Sequence, residues 1–312
     1  MNVLSLFDGM SCGQIALERA GLEVDNYFAS EIDKYAISIA QKNYPNTKEL
    51  GDVTSWGKWL LPQVDLVLAG SPCQGFSQAG RGLNFEDPRS KLFFEFVEIL
   101  NYHKPKYFLL ENVMMKKEYQ DVISKYLGVE PVVINSALVS AQNRKRLYWT
   151  NLPITQPEDR GILLRDIMLE NSNEYVKVSK RGRYKKFKEK ASCLTGGAHS
   201  GGNHSDMDLF GMDKNRCYMV GETLGINGHE LIRRVYADYG KSPTVTTITG
   251  GNQYSKIATD DYLWRRLSPI ECERLQTVPD NYTEGVSNSQ RYKMLGNGWT
   301  VDVIAHILKG IK

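Results

Sequence analysis

Of the five cysteines in this 312-residue chain, Cys73 lies in the run Gly70-Ser71-Pro72-Cys73-Gln74-Gly75-Phe76-Ser77, just past an apolar stretch. A thiol in a post-strand turn, its backbone fixed by the preceding proline, suits a nucleophile better than a packed core cysteine. A cysteine hydrolase would need a histidine beside it, yet His103, His199, His204, His229 and His306 fall in no recognisable triad context. Two further groups could serve a reaction: Glu111, just past an apolar run, and the basic run Gln142-Asn143-Arg144-Lys145-Arg146. As bare strings they are equally a strand-end acid paired with some base and a solvated basic face. A third set reads as nucleotide-cofactor chemistry. Leu4-Ser5-Leu6-Phe7-Asp8-Gly9-Met10-Ser11-Cys12-Gly13 carries a strand through a glycine-containing turn into a helix, which permits close backbone approach to a ligand. The G-x-G-x-x-G fingerprint is absent, so this segment alone is equally an ordinary tight turn. Glu31 falls at the next strand end, where a carboxylate can accept from ribose hydroxyls, and Asp52 after Gly51 can take an adenine amine or simply serve its turn. Cys193, His199, His204 and Cys217 follow a C-x5-H-x4-H-x12-C order that fits no standard zinc site, so no structural metal is expected.

Groups so far apart in sequence need a scaffold that brings them together. Apolar runs at 2–7, 26–30, 64–69 and 107–110 predict strands, and helical spacing at 14–20, 35–43 and 91–100 predicts helices between them. Gly21 stops the first helix and Pro45 bars the second from continuing. Strands alternating with helices predict an α/β fold, a Rossmann-like, mostly parallel sheet with helices on both faces. Ligands bind such sheets outside the carboxyl ends of the strands, where Asp8, Glu31, Cys73 and Glu111 all fall. The candidate groups are therefore predicted to converge.

Past residue 150 the texture changes. Eight basic residues crowd into 176–190, and Gly-rich runs follow at 196–204 and 248–253. Residues 151–264 read as a smaller inserted lobe between a main domain, 1–150, and a C-terminal segment, 265–312, that returns to it. In that segment Ser268-Pro269 reads as an N-cap and first-turn pair, and 301–308 as a final helix.

A net charge of +3 neither demands nor excludes nucleic acid. Cysteines odd in number, scattered and without a C-x-x-C pair fit a reducing interior, so a cytoplasmic compartment is expected. No basic region followed by an apolar stretch opens the chain, and no run approaches 18 apolar residues, so neither a leader nor a membrane association is expected.

GSPCQGFS followed by GLNFEDPRSKLFFEF resembles the catalytic segment of the cytosine-5 DNA methyltransferases. LSLFDGMSCG, SEID, GDV, ENV, QNRKRLY and QRYKMLGNGW are similar to that family's other motifs, in family order. The likeness covers about 3–150 and 265–308, and leaves out the middle, where family members carry a variable target-recognition region. FDGMSCG and GVSNSQRYKMLGNGWTVDVI are closer to the de novo branch than to the FAGxGG form of many bacterial enzymes. The resemblance implies transfer of a methyl group from S-adenosylmethionine, leaving S-adenosylhomocysteine. Cys73, supported by Pro72, would add to C6 of the base; Glu111 would hold N3 and the amine, and Arg146 would hold O2, with Gln142 and Arg144 bracing the site. Phe7 would face the adenine, and the backbone of Asp8, Gly9, Met10, Ser11 and Cys12 the methionine. Glu31 with Ile32 would meet the ribose, Asp52 and Val53 the adenine edge, and Asn297, Gly298 and Trp299 would close the pocket.

The implied substrate is double-stranded DNA, from which the target base must be flipped. Gln78 and Arg81 lie in a glycine-rich loop after Cys73 suited to that task. Lys180, Arg181, Arg183, Lys185, Lys186 and Lys188 could neutralise phosphates, although such runs are often merely solvated. The Gly-rich stretches near 195–202 and 247–252 could carry base-reading loops. The location implied is the cytoplasm, at the nucleoid, for a bacterial or phage-type enzyme and the nucleus for a eukaryotic one. A cognate restriction endonuclease is a further partner the resemblance allows. Two rivals stay open: an RNA cytosine-5 methyltransferase of the tRNA-modifying branch, whose Cys-Phe-Thr signature does not occur here, and a catalytically silent DNA-binding homologue.

Overall fold

The computed structural model describes residues 1–70, 88–169, 176–177, 217, 219–222, 233–245, 255–258 and 263–312. Pro72, Cys73, Gln78, Arg81, the basic residues from Lys180 to Lys188, both Gly-rich stretches, and Cys193, His199 and His204 lie outside them.

The alternation read from sequence becomes β1 (Asn2–Leu6), α1 (Cys12–Ala20), β2 (Asn26–Ser30), α2 (Lys34–Asn43), β3 (Lys48–Glu49), β4 (Leu66–Gly70), α3 (Pro88–His103) and β5 (Tyr107–Val113). Then come α4 (Lys117–Leu127), β6 (Val132–Asn135) and β7 (Lys145–Thr150). Local chemistry sets the boundaries. Phe7 turns to a positive φ and ends β1, while Gly21 at φ 73 ends α1 with its N–H returned to Glu18 O. The Asp33 side chain caps α2 by accepting from Tyr35 N at 2.9 Å.

The strands form one sheet in the order β3-β2-β1-β4-β5-β7-β6. Pairings from β3 through to β5 are parallel, and β7 runs antiparallel to β5 and β6. The chain grows outward from β1 in one direction and resumes at β4 in the other, so a switch point falls between β1 and β4. Alternate residues serve opposite faces. Leu4, Leu6, Val67, Ala69, Leu110 and Trp149 pack with Phe93 and Phe96 of α3 and Ile123 of α4. Val3, Leu66, Leu68, Leu109 and Tyr148 pack instead with Ile15 and Ala16 of α1. The sheet is thus covered by helices on both faces.

Beyond β7, Leu152, Leu164 and Ile167 join that second cluster. A smaller sheet follows, β8 (Val176–Lys177), β9 (Met219–Glu222), β10 (Arg234–Tyr236), β11 (Lys256–Ala258) and β12 (Leu263–Arg266), ordered β8-β12-β11-β10-β9. The chain then returns through α5 (Pro269–Leu275), α6 (Asn288–Asn297) and α7 (Val301–Leu308). α5 begins in a reciprocal cap: Ser268 Oγ accepts from Glu271 N at 3.2 Å, and Ser268 N donates to Glu271 Oε2 at 2.7 Å. Val303 and Ile304 of α7 share the α1 cluster, so the C-terminus completes the core that the N-terminus begins. Among the described residues no helix is long and apolar enough to cross a membrane.

Gly13 shows how tightly this core meets the functional turn. A Cβ there would lie 2.6 Å from Tyr27 Oη and 3.1 Å from Leu68 Cδ1. Gly13→Ala is therefore expected to cost about 1–3 kcal/mol through overpacking, read as a lower urea midpoint at unchanged slope.

Candidate active site

A cleft of about 640 Å³ opens at the switch point, outside the carboxyl ends of β1, β2, β4 and β5. The turn after β1 forms its floor. Phe7, Gly9 and Ser11 have φ of 57, 61 and 66°, and the two non-glycines cost about 1 kcal/mol each in that region. Asp8 holds the turn: its Oδ2 accepts from Ser11 Oγ and its Oδ1 from Tyr27 Oη, both at 2.6 Å. Burial raises the Asp8 carboxyl above the usual range, while the hydroxyls of Ser11, Ser5 and Tyr27 oppose that rise. Phe7, Asp8, Gly9 and Cys12 line the cleft, whereas Met10 and Ser11 are buried behind its wall, where the Met10 carbonyl accepts from Tyr282 Oη at 2.7 Å.

Glu31 joins this turn to the end of β2. Its Oε2 accepts from Gly9 N at 2.8 Å, and its Oε1 from Ile32 N and Asp33 N at 2.7 and 2.8 Å. Ile32, beside it on the cleft wall, is 75% exposed, an apolar ledge. Asp52 caps a short 3-10 turn, Val53–Lys58, through Thr54 N at 2.9 Å, and lines the cleft with Val53; the turn role and the wall position coexist.

The C-terminal segment supplies the opposite wall, including Asn297, Gly298 and Trp299. Glycines let it approach. A Cβ on Gly298 would meet Met10 Cε at 3.0 Å and Met294 O at 3.1 Å, and one on Gly70 would meet Trp299 Nε1 at 2.8 Å. Lys293 of α6 reaches across to Asp33 at 2.6 Å, a tie across the cleft that the sequence signals only by an ordinary helix cap. Burial pushes the Asp33 carboxyl up, but hydrogen bonds from Lys293, Tyr35 N and Ala36 N outweigh it and leave it below the usual range.

At the β5 end stand Glu111 and Arg146. Glu111 lies opposite Tyr148 in the β5–β7 ladder, and Arg146 is two residues along, so the two are diagonal neighbours on one face. Arg146 Nε lies 3.1 Å from Glu111 Oε1, with both side chains largely buried. Arg146 Nε has no aligned hydrogen bond among the described residues. The ion-pair reading of Glu111 and a substrate role for it are therefore compatible. Arg144 and Gln142 point elsewhere. Arg144 donates to Gly298 O at 3.1 Å and to Gly296 O and Val245 O at 3.3 Å, and burial, with Arg146 nearby, pushes its guanidinium down to about 10. Gln142 donates to Leu275 O at 3.1 Å and accepts from Val245 N at 3.0 Å. Gly70, the last described residue before Cys73, lines the same cleft. Thr244, Val245 and Lys293 also line it, and nothing in their local sequence marked them.

Comparison with known proteins gives the cleft a context. The chain is 28% identical over 328 residues to the Type II methyltransferase M.NlaX of Neisseria lactamica, across 99% of this chain and 96% of that protein. It is 26% identical over 337 residues to the Type II methyltransferase M.HhaI of Haemophilus parahaemolyticus, across 100% and 94%. Its fold is similar to that of a DNA modification methyltransferase encoded within an E. coli prophage, with TM-score 0.66, 21% identity and coverage of 100% and 98%. A crystal structure of Spodoptera frugiperda DNMT2 is similar at TM-score 0.63 and 19% identity, across 99% and 98%. Residues 1–312 match the family described as C-5 cytosine-specific DNA methylase. Because that match takes in both chain ends and every strand that builds the cleft, the chain belongs to the C-5 cytosine-specific DNA methylases.

Proposed function

We propose that this methyltransferase moves a methyl group from S-adenosylmethionine to C5 of a cytosine flipped out of duplex DNA, with Cys73 as nucleophile. The observation that supports it most is the meeting, on one cleft, of a nucleotide-type wall and the Glu111–Arg146 pair. The wall fits the donor. Ile32 offers an exposed apolar ledge for a purine, and Glu31 a carboxylate oriented by three backbone N–H groups for vicinal hydroxyls. Gly9 and Gly298 present bare backbone, and the volume falls within the range of roughly 300–1,000 Å³ usual for small-molecule sites. Phe7, Asp8, Cys12, Asp52, Val53, Asn297 and Trp299 complete the proposed site, with Met10 and Ser11 behind it. When bound, the donor supplies a methyl group on a sulfonium, an electrophile that cytosine C5 is too electron-poor to attack unaided.

The chain's own groups overcome that. The Cys73 thiolate adds to C6, and the displaced electron pair spreads over C5, N3 and O2. A proton from water goes to N3 as sulfur adds and returns to water as sulfur leaves; Glu111 accepts from that N3–H and from the exocyclic amine, and the Arg146 guanidinium meets O2, an acceptor beside a donor. Carbon 5, now enamine-like, takes the methyl group. Loss of the C5 proton to water restores the C5–C6 double bond and returns the electron pair to sulfur. Pro72 supports the Cys73 loop, and Gln142 and Arg144 brace the site.

Residues 151–264 are proposed as the target-recognition lobe. Lys180, Arg181, Arg183, Lys185 and Lys186 would meet phosphates, with Gln78 and Arg81 contacting the DNA around the displaced base, so affinity should fall steeply with salt. Relatives from bacteria and from Bacillus phage rho11s support action in a bacterial cytoplasm; Type II relatives favour a cognate restriction endonuclease, and the orphan phage relative favours solitary action.

Labelled donor incubated with duplex DNA or with tRNA is expected to label the DNA; label in tRNA alone would move the activity to the RNA branch. Glu31→Gln is expected to weaken S-adenosylhomocysteine binding by about ten- to a hundredfold, the worth of one charge-assisted hydrogen bond. Calorimetry showing unchanged affinity would remove Glu31 from the ribose.

A further inference from the structure

We infer that Gln276 is a positioning residue: its single buried amide holds the turn that closes the donor cleft in register with the loop leading to the target-side arginine. The inference rests on the reading of the cleft as the donor site. Gln276 ends α5 and is fully buried. Its Nε2 donates to Leu295 O at 2.6 Å and to Gly298 O at 3.3 Å. Its Oε1 accepts from Thr300 Oγ1 at 2.9 Å and from Gln142 Nε2 at 3.2 Å. Both amide hydrogens and both oxygen lone pairs are thus used, and the carbonyls on one side dictate which end of the amide faces them.

The network continues on both sides. Thr300 Oγ1 accepts from Ser136 Oγ at 2.8 Å, and Gln142 Oε1 accepts from Val245 N at 3.0 Å. Leu275 O, next to Gln276, accepts from Ser140 Oγ at 2.6 Å and from Gln142 Nε2 at 3.1 Å. Gly298 lines the cleft and has no side chain by which it could be anchored. Its carbonyl is held by Gln276 and Arg144, side chains from elsewhere in the chain. Gln142 and Arg144 belong to the stretch that enters β7 and presents Arg146 to Glu111. A displacement of the amide therefore moves both walls, the donor side through Gly298 and the target side through Gln142.

The test compares Gln276→Met, which keeps the length but removes the hydrogen bonds, with Thr283→Val. Thr283 is equally buried but sits in the Glu273–Arg291 cluster, which does not line the cleft. Calorimetric titration with S-adenosylhomocysteine and thermal unfolding are read for each. Gln276→Met is expected to weaken affinity and raise donor KM tenfold or more, and, through the target-side wall, to lower kcat at saturating donor by a smaller factor. Thr283→Val is expected to lower Tm with affinity unchanged. Gln142→Met is expected to weaken binding non-additively with Gln276→Met, since each removes the same bond. Should Gln276→Met not fold, Thr300→Val removes one donor to the same oxygen and is expected to weaken binding three- to tenfold. Wild-type affinity in a folded Gln276→Met, or in Thr300→Val where that variant stands in for it, overturns the inference. Failure of the unmutated protein to bind S-adenosylhomocysteine would instead refute the donor reading beneath it.

Discussion

Cys73→Ser is expected to bind DNA and S-adenosylhomocysteine like the unmutated protein while losing turnover by a factor on the order of 10⁴ or more. A thiol with a pKa near 8.5 supplies some thiolate at neutral pH, whereas a serine hydroxyl supplies almost no alkoxide. The described cysteines show what the fold does to an ordinary thiol: burial pushes Cys12 up to about 12, and Cys272 is also raised. A nucleophilic Cys73 needs a different setting. The nearest described charges that could supply it are on the target side of the cleft, where the Arg146 guanidinium faces the carboxylate of Glu111. DNA carrying 5-fluorocytosine is the direct probe, because a C5 fluorine cannot leave as a proton and the sulfur–C6 bond persists. The unmutated protein is expected to form a denaturation-resistant adduct and Cys73→Ser none. Normal methylation by the variant would overturn the mechanism.

Breaking the Glu111–Arg146 pair is expected to have the next largest effect. Glu111→Gln keeps an acceptor but loses the charge proposed to stabilise the N3-protonated adduct, so kcat should fall about 10²–10³-fold. Arg146→Met removes the proposed O2 donor and leaves Glu111, 8% exposed, without its counter-charge. Stripping one partner from a buried pair costs about 3–5 kcal/mol, so this variant should lose both rate and stability, whereas Glu111→Gln, whose amide oxygen can still accept from Arg146 Nε, should lose rate with less stability. Urea unfolding beside single-turnover kinetics separates the two. Near-native kcat in either variant would remove that residue from the chemistry.

The convergence of Asp8, Glu31 and Glu111 on one cleft was legible because it follows from a general property of parallel sheets. The strand expected at 26–30 and the helix expected at 301–308 formed as β2 and α7. Other elements shifted for local reasons: β1 stopped at Leu6 because Phe7 enters the left-handed region, and α3 began earlier, with Pro88 in its first turn. β7 was hidden because its two leading basic residues read as a motif rather than as an antiparallel strand inserted between β5 and β6. The contacts missed altogether join distant parts of the chain. Lys293 meets Asp33 across 260 positions, and Gln276 reads in sequence as one more residue of a helix end. No local pattern encodes such pairs, since their partners are fixed only when α6 and α7 return to the first sheet.

Bisulfite sequencing of unmethylated duplex DNA, after incubation with the protein and S-adenosylmethionine, tests the central claim most directly. Protected cytosines are expected within one fixed short sequence context, and none with Cys73→Ser. Complete conversion of every cytosine by a protein that binds S-adenosylhomocysteine, or equal protection by Cys73→Ser, would contradict the account.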